Sequence, residues 1–348
     1  MRVNASAPTT EEALDAALSE PREATVRAVA DTQGDIVVLG AGGKMGPSMA
    51  RMVKRALESV PGGASRRVVA VSRFAERDGA ARLLEAAGVE VMPCDLLDRD
   101  AVRTLPDAPN VLFLAGQKFG TSQAPARTWM TNVVLPAIVA ERYRESAIVA
   151  FSTGNVYPLV PVLRGGSHED DAPAPVGEYA ASCLARERIF EHAASAWGTR
   201  VVIVRLNYAI DLRYGVLTDL ALALQRGDAV PLAMGYVNVI WQGDASRAAI
   251  ELLPHAVSPP LVVNVAGAQL LSVRVIAEQL AARLGVAPRF TGTERTDALL
   301  SDSSRMRELV GPGDMPVDTM LDWVAEWVSA GRRVLARPTH FTTRDGTF

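Results

Sequence analysis

The chain has 348 residues, 49% of them hydrophobic and 22% charged, with a formal net charge of -3. That length supports a large core, as one bipartite domain or two, and the balance is that of a soluble globular protein with no expected nucleic-acid or membrane partner. Its two cysteines and four scattered histidines give neither a disulfide framework nor a metal-ligand spacing, and no signal peptide or run of ~20 apolar residues is visible, so a metal-free cytoplasmic protein is expected.

Residues 1–33 read as a helical leader broken by Pro21. From residue 34 short apolar runs alternate with amphipathic helices. Strands are predicted at Ile36–Leu39, Arg67–Ser72, Val89–Pro93, Val111–Ala115, Ala147–Ser152 and Arg200–Arg205. Helices are predicted at Gly46–Ser59, Glu76–Ala87, Asp98–Leu105, Arg127–Arg144 and Glu178–Trp197. Continuous apolar strands alternating with helices imply an α/β fold, a doubly wound, Rossmann-type parallel sheet over residues 34–206. Residues 207–330, with the loop 155–175, are richer in glycine and proline and are expected to build a smaller C-terminal substrate-binding lobe. Residues 331–348 read as a polar, peripheral tail.

The loop Gly40-Ala41-Gly42-Gly43-Lys44-Met45-Gly46 follows the first strand and opens a helix. Glycines there permit a tight turn and let the backbone reach a pyrophosphate on the positive helix end, which predicts dinucleotide binding. Lys44 either touches a phosphate or points to solvent. Ser72-Arg73-Phe74 ends the second strand with no acid until Glu76, which favours NADP over NAD. Asp95 and Leu96 after the third strand, and Ala115, Gly116 and Gln117 after the fourth, are further cofactor candidates. The chain holds only three lysines, Lys44, Lys54 and Lys118, against many arginines.

Gly40, Gly43 and Gly46, Asp95-Leu96, Asn132, Phe151-Ser152-Thr153-Gly154-Asn155-Val156-Tyr157 and Tyr179 occur in an order that resembles the extended short-chain dehydrogenase/reductases, the NAD-dependent epimerase/dehydratase family. Val204–Tyr208, Val239–Ala245 and Val263–Gly267 extend the resemblance over roughly residues 34–330. It implies a hydride exchanged between nicotinamide and a carbinol of a sugar, sugar acid or nucleotide sugar, with Tyr179 as acid/base and Thr153, flanked by Ser152, as the partner hydroxyl. It places Asn132 in a structural or proton-relay role. It also implies a lysine one helical turn after the tyrosine, binding the nicotinamide ribose and lowering the phenol's pKa. Cys183 stands there instead. A neutral thiol supplies no such field, and a thiolate would oppose it.

Cys183 therefore reads as small core filler in the cofactor-facing position. Lys118, in the loop after the fourth strand, is the candidate substitute cation, serving the tyrosine or an anionic substrate; a surface lysine is the alternative. Arg186 and Arg188 are expected to be exposed or paired with Glu187 and Glu191. Gly154-Asn155 replaces the acidic pair of sugar-nucleotide dehydratases, which disfavours dehydration. Asn155, Asn207, Tyr208, Arg213, Asn238 and Trp241 are candidate substrate contacts, Trp241 as a stacking face or a core residue. His168 is an auxiliary acid or a surface histidine. Trp129, Ile138, Ile189 and Phe190 serve either a homodimer interface or the core. Two other readings compete: a non-catalytic dinucleotide-binding sensor or scaffold, and, last, a hydrolase or lyase using Cys183, which lacks a histidine partner.

Overall fold

The computed structural model of the chain describes residues 6–74, 79–335 and 337–347. Seven strands form the central sheet: β1 (Ile36–Leu39), β2 (Val68–Ser72), β3 (Glu90–Pro93), β4 (Asn110–Phe113), β5 (Ala147–Thr153), β6 (Arg200–Leu206) and β7 (Leu261–Val265). They pair in parallel in the order β3-β2-β1-β4-β5-β6-β7. Every residue of β1, β4 and β5 is buried because helices cover both faces, which is why these strands read as unbroken apolar runs. The strand order reverses between β1 and β4. At such a switch point the connecting loops diverge and leave a crevice at the carboxyl ends of the strands. Leu39 lies level with both Val71 and Phe113, so the loops leaving β1, β2 and β4 start at one height.

The leader is not a detached segment. α1 (Glu11–Leu18) buries Leu14 and Leu18 in the second lobe, and Arg22 before α2 (Glu23–Asp31) is ion-paired with Glu251. α3 (Gly46–Glu58) covers β1 and β2 with Met49, Met52, Val53 and Leu57. The helix expected from Glu76 is described from Gly79, as α4 (Gly79–Ala86); Glu76 itself lies outside the described residues. α5 (Arg99–Arg103) precedes β4.

The expected single helix 127–144 is split. α6 (Pro125–Trp129) passes through a π-helical turn at Met130–Val134 into α7 (Leu135–Arg142). Wide turns of this kind redirect backbone carbonyls and gather at functional sites; this one is centred on Asn132. α8 (Gly177–Trp197) carries Tyr179 across the sheet behind β5 and β6. Ile138 and Phe190 are core residues between α7, α8 and the sheet, whereas Trp129 is exposed and donates its indole N–H to Glu178.

The second lobe gathers α9 (Val216–Arg226), α11 (Val273–Leu284) and α13 (Val317–Ser329) around one core that includes Leu217, Ile276, Leu280, Leu321 and Val324. α10 (Gln242–Glu251) and α12 (Ser304–Val310) pack on the first lobe through Ala245, Ile250 and Met306. Among the described residues no helix is long and apolar enough to cross a membrane, and no group of three His, Cys, Asp or Glu could hold a metal ion.

Candidate active site

A cavity of about 330 Å³ opens where the switch point meets the second lobe. Its floor is the glycine loop and the ends of β4 and β5: Gly40, Gly43, Lys44, Met45 and Gly46, then Gly116, Gln117 and Lys118, then Ser152, Thr153 and Asn155. The loop is held close to β4. Gly40 has φ +86°, and a Cβ there would stand 2.6 Å from the Ala115 nitrogen. Gly42 faces Ser72 instead, and Ala115 is buried beneath the floor. Arg73 is exposed just past β2, and Asp95 accepts the Leu97 N–H while Leu96 is buried in the core; these positions lie at the sheet ends beyond the cavity.

Tyr179 lines the cavity, and its phenol is within hydrogen-bonding reach of Thr153 and of the Cys183 thiol. Thr153 Oγ1 accepts from Asn155 N at 3.2 Å and Asn155 Nδ2 at 3.0 Å, so its own proton is the one left to donate to the Tyr179 oxygen. Burial drives the phenol's pKa well above its ordinary value; the Thr153 hydrogen bond and the charge of Arg186 pull it back. Cys183 is fully enclosed with Val156 and Tyr157, and burial raises its pKa as well. It is packing, and does not line the cavity as expected of a cofactor contact.

Arg186 was expected to be exposed or ion-paired, and it is neither. It is 6% exposed and turned to the site, donating to Phe151 O at 2.9 Å and Asn132 Oδ1 at 2.8 Å. Residue i+7 returns to the face of residue i after two turns, which aims Arg186 at the tyrosine's side of α8. Gly116 makes the room, since a Cβ there would collide with the guanidinium. Arg188 does pair with Glu191. Asn132 is buried: it accepts the Gln117 N–H and donates to Gln117 O and Ser182 Oγ, so it braces the loop after β4 and does not reach the cavity. Ser152 donates to Glu187, whose carboxylate is ion-paired with Arg205 at 2.7 Å beneath the floor.

Lys118 and Lys44 both face the cavity. Lys44 Nζ lies 4.2 Å from the centroid of the Tyr214 ring, and Lys118 Nζ is 5.8 Å from that of Phe119. Burial lowers each to a pKa of about 8. Asn207 and Tyr208 line the cavity as expected, Tyr208 at φ +46°, a strained conformation for a side chain of that size. Asn238 and Trp241 do not. Asn238 donates to Gly267 O and Ser301 O, and Trp241 is core, edge-on to Trp323 at 5.8 Å. Arg213 is tied up with Asp15, Glu11 and Asp211, and His168 stands in a loop near Asp302.

The tail expected to be peripheral forms the roof. Leu335, Arg337, Thr339, His340, Phe341 and Thr343 line the cavity, and Phe341 is buried in the second-lobe core.

These residues fit a dinucleotide. The bare Gly43 and Gly116 face the cavity without side chains, and the loop ends at the N-terminus of α3. The loop backbone would hold the pyrophosphate, with Gly116 and Gln117 beside the nicotinamide end.

The chain resembles several solved structures along most of its length. The UDP-glucuronic acid 4-epimerase of Bacillus cereus in complex with NAD is 18% identical, covering 84% of this chain and 96% of that one at a TM-score of 0.70. The UDP-Glc/GlcNAc 4-epimerase of Campylobacter jejuni is 20% identical over 85% and 99% of the two chains, also at 0.70. The UDP-glucose 4-epimerase of Thermotoga maritima with UDP-glucose is 17% identical over 85% and 99%, at 0.68. At such identity the likeness is one of fold. No curated protein matches the sequence. The model of the NAD dependent epimerase/dehydratase family matches residues 36–210, half of the chain, and the protein belongs to that family of extended short-chain dehydrogenase-type enzymes.

Proposed function

We propose that the protein transfers a hydride between a nicotinamide dinucleotide and a carbinol of a sugar, sugar acid or nucleotide sugar, as an oxidoreductase or epimerase, with Tyr179 moving the proton. The observation that carries this reading is the meeting of Tyr179, Thr153 and Arg186 at the wall of a cavity that begins at the glycine loop. Nicotinamide, when bound, supplies the hydride acceptor and donor at its C4. The chain's own groups do the rest. The Tyr179 oxygen takes the carbinol proton in oxidation and returns it in reduction. Thr153, oriented by Asn155, donates to that oxygen and steadies the phenolate. Arg186 supplies the positive field that the residue after the first helical turn, Cys183, does not. Neighbours of the same fold are UDP-sugar epimerases by name, which supports a carbohydrate substrate.

Arg73, exposed after β2, supports NADP; NADPH is then expected to bind more tightly than NADH, and the reverse order would leave Arg73 without a role at the cofactor. The exposed Trp129 beside α8 supports a homodimer through that face, read from the sedimentation mass.

The test follows the fluorescence of bound nicotinamide while sugars, sugar acids and nucleotide sugars are added. A redox change abolished by Tyr179→Phe supports the reading. A cofactor that binds and never changes redox state would support a non-catalytic sensor, the alternative that the absence of a lysine at Cys183 favours.

A further inference from the structure

The C-terminal segment Arg337–Thr347 has no helix or strand, yet it bridges the cavity from one lobe to the other. Its anchors in the second lobe are few and mostly polar. Thr339 gives both its N–H and its hydroxyl to Asp219 of α9, at 2.8 and 2.6 Å. Arg344 donates to Ala233 O at 3.0 Å and to the partly exposed Asp297 carboxylate at 2.6 Å. Among the described residues of the segment, Phe341 alone belongs to the second-lobe core. On the first lobe the segment rests at two places. Arg337 Cζ lies 5.7 Å from the ring centroid of Phe119, in the loop after β4. Gly346 meets Gly177, the first residue of the tyrosine helix, backbone to backbone. A Cβ on Gly346 would collide with Val176 O, and one on Gly177 with Gly346 O, so the seat admits no side chain.

Between these supports Thr339, His340, Phe341 and Thr343 line the cavity as its roof, over the floor that carries Gly116 and Gln117. The segment's own backbone contacts are short-range: Phe341 N–H donates to Thr339 Oγ1 at 3.2 Å and Thr343 N–H to His340 O at 2.9 Å. No strand ladder has to break for it to lift. A partly exposed ion pair and a surface cation–π contact each stabilise it only weakly. His340 is held at φ +56°, a strained conformation that relaxes when the bend is released. One apolar anchor, few hydrogen bonds and a strained bend place the segment at the low-stability end of the fold, from which moving lids are drawn.

We propose that Arg337–Thr347 is a strap that gates the nicotinamide end of the cavity: it leaves Asp219 and Gly177 to admit or release a ligand and reseats over the occupied site. The proposal rests on the dinucleotide reading of the glycine loop and goes beyond it. Asp219, Gly177 and Gly346 are not among the residues that line the cavity. Loosening these anchors therefore weakens the seated state equally with and without ligand. Entry and exit then accelerate by one common factor while affinity stays where it was, a signature that the loss of a direct ligand contact does not produce.

Stopped-flow mixing follows nicotinamide fluorescence as NADPH, and in parallel NADH, binds the full-length protein. The wild-type rate should level off at high cofactor concentration, at the rate of strap opening. Asp219→Asn and Gly346→Val loosen opposite ends of the strap. Each should raise that ceiling and the dissociation rate at least threefold, by the same factor, with Kd within about twofold of wild type. A wild-type rate that stays proportional to cofactor concentration, variants that bind and release at the wild-type rate, or a Kd that follows the dissociation rate alone would overturn the proposal. Hydrogen exchange of the unliganded protein, read by mass spectrometry, tests the strap apart from the cofactor. The peptide covering Thr339–Thr343 should exchange well before α13, and faster still in both variants. Exchange only in step with α13 would overturn the strap. Early exchange in a protein that binds neither cofactor would instead sink the dinucleotide reading and leave the opening of the strap standing.

Discussion

Replacing Arg186 by methionine tests whether the cation missing one turn after Tyr179 has moved to the second turn. Seven residues at 1.5 Å rise put the two positions about 10 Å apart along α8. At an effective dielectric of about 20, unit charges at that distance interact by about 1.7 kcal/mol, or just over one pKa unit. Removing Arg186 should raise the pKa of Tyr179, already driven up by burial, by about that amount. Proton transfer through the phenolate should then slow about tenfold at neutral pH, with the alkaline limb of kcat displaced upward by about one unit. The substitution also strips donors from Phe151 O and Asn132 Oδ1, so a stability loss of a few kcal/mol accompanies it. Arg186→Lys separates the two effects, since it keeps the charge and loses part of the hydrogen bonding. The assay is the pH dependence of nicotinamide reduction for wild type and both variants. If Arg186→Met is destabilised but its pH profile coincides with that of wild type, Arg186 is a packing residue and the electrostatic account fails.

Gly116→Ala should reproduce the Arg186→Met pH shift, because the added Cβ displaces the guanidinium; an unchanged profile would show that the contact is dispensable. Glu187→Gln leaves Arg205 charged and unpaired beneath the site, where the two side chains are 1% and 4% exposed; urea unfolding should register a loss of about 3–5 kcal/mol, and a loss below about 1 kcal/mol would contradict a buried pair. Lys118 is held at about 8 in the fold against 10.5 outside it, by burial first and by Lys44 next, with Asp219 and Cys183 acting the other way. Folding thus penalises its charged form, a cost fully present below about pH 8 and relieved as pH rises toward 10.5. Thermal melts should therefore show Lys118→Met gaining on wild type at pH 7 and losing that advantage near pH 10; a pH-independent difference would refute the assignment. Asp219→Asn removes the charge that fastens Thr339, so limited proteolysis should cut the C-terminal segment faster while cofactor affinity holds.

The fold was legible because parallel strands buried on both faces leave unbroken apolar runs, and because the glycine loop sits between one such strand and a helix. That Tyr179 and Thr153 meet at one cavity was legible through their order along the chain. Arg186 was missed although its i+7 spacing was available, since an arginine next to Glu187 reads as a surface ion pair; the glutamate in fact turns to Arg205 on the next strand. Asn238 and Trp241 were misplaced for a related reason. Polar and aromatic residues in a loop-rich lobe look like ligand contacts, but here they satisfy buried carbonyls and fill the core. The C-terminal segment carries no periodic pattern, so its polarity suggested a free end. Its fastenings are single contacts with residues more than 40 positions away, and local sequence does not encode such contacts.

The redox state of bound nicotinamide, recorded by fluorescence through a panel of uronates, sugar phosphates and nucleotide sugars, tests the central claim most directly. The account predicts a change with at least one of them in the wild-type protein, and a loss of about 10²–10⁴ in rate for Tyr179→Phe, the range expected when a positioned acid/base is removed. A change that proceeds at the wild-type rate in Tyr179→Phe would contradict it.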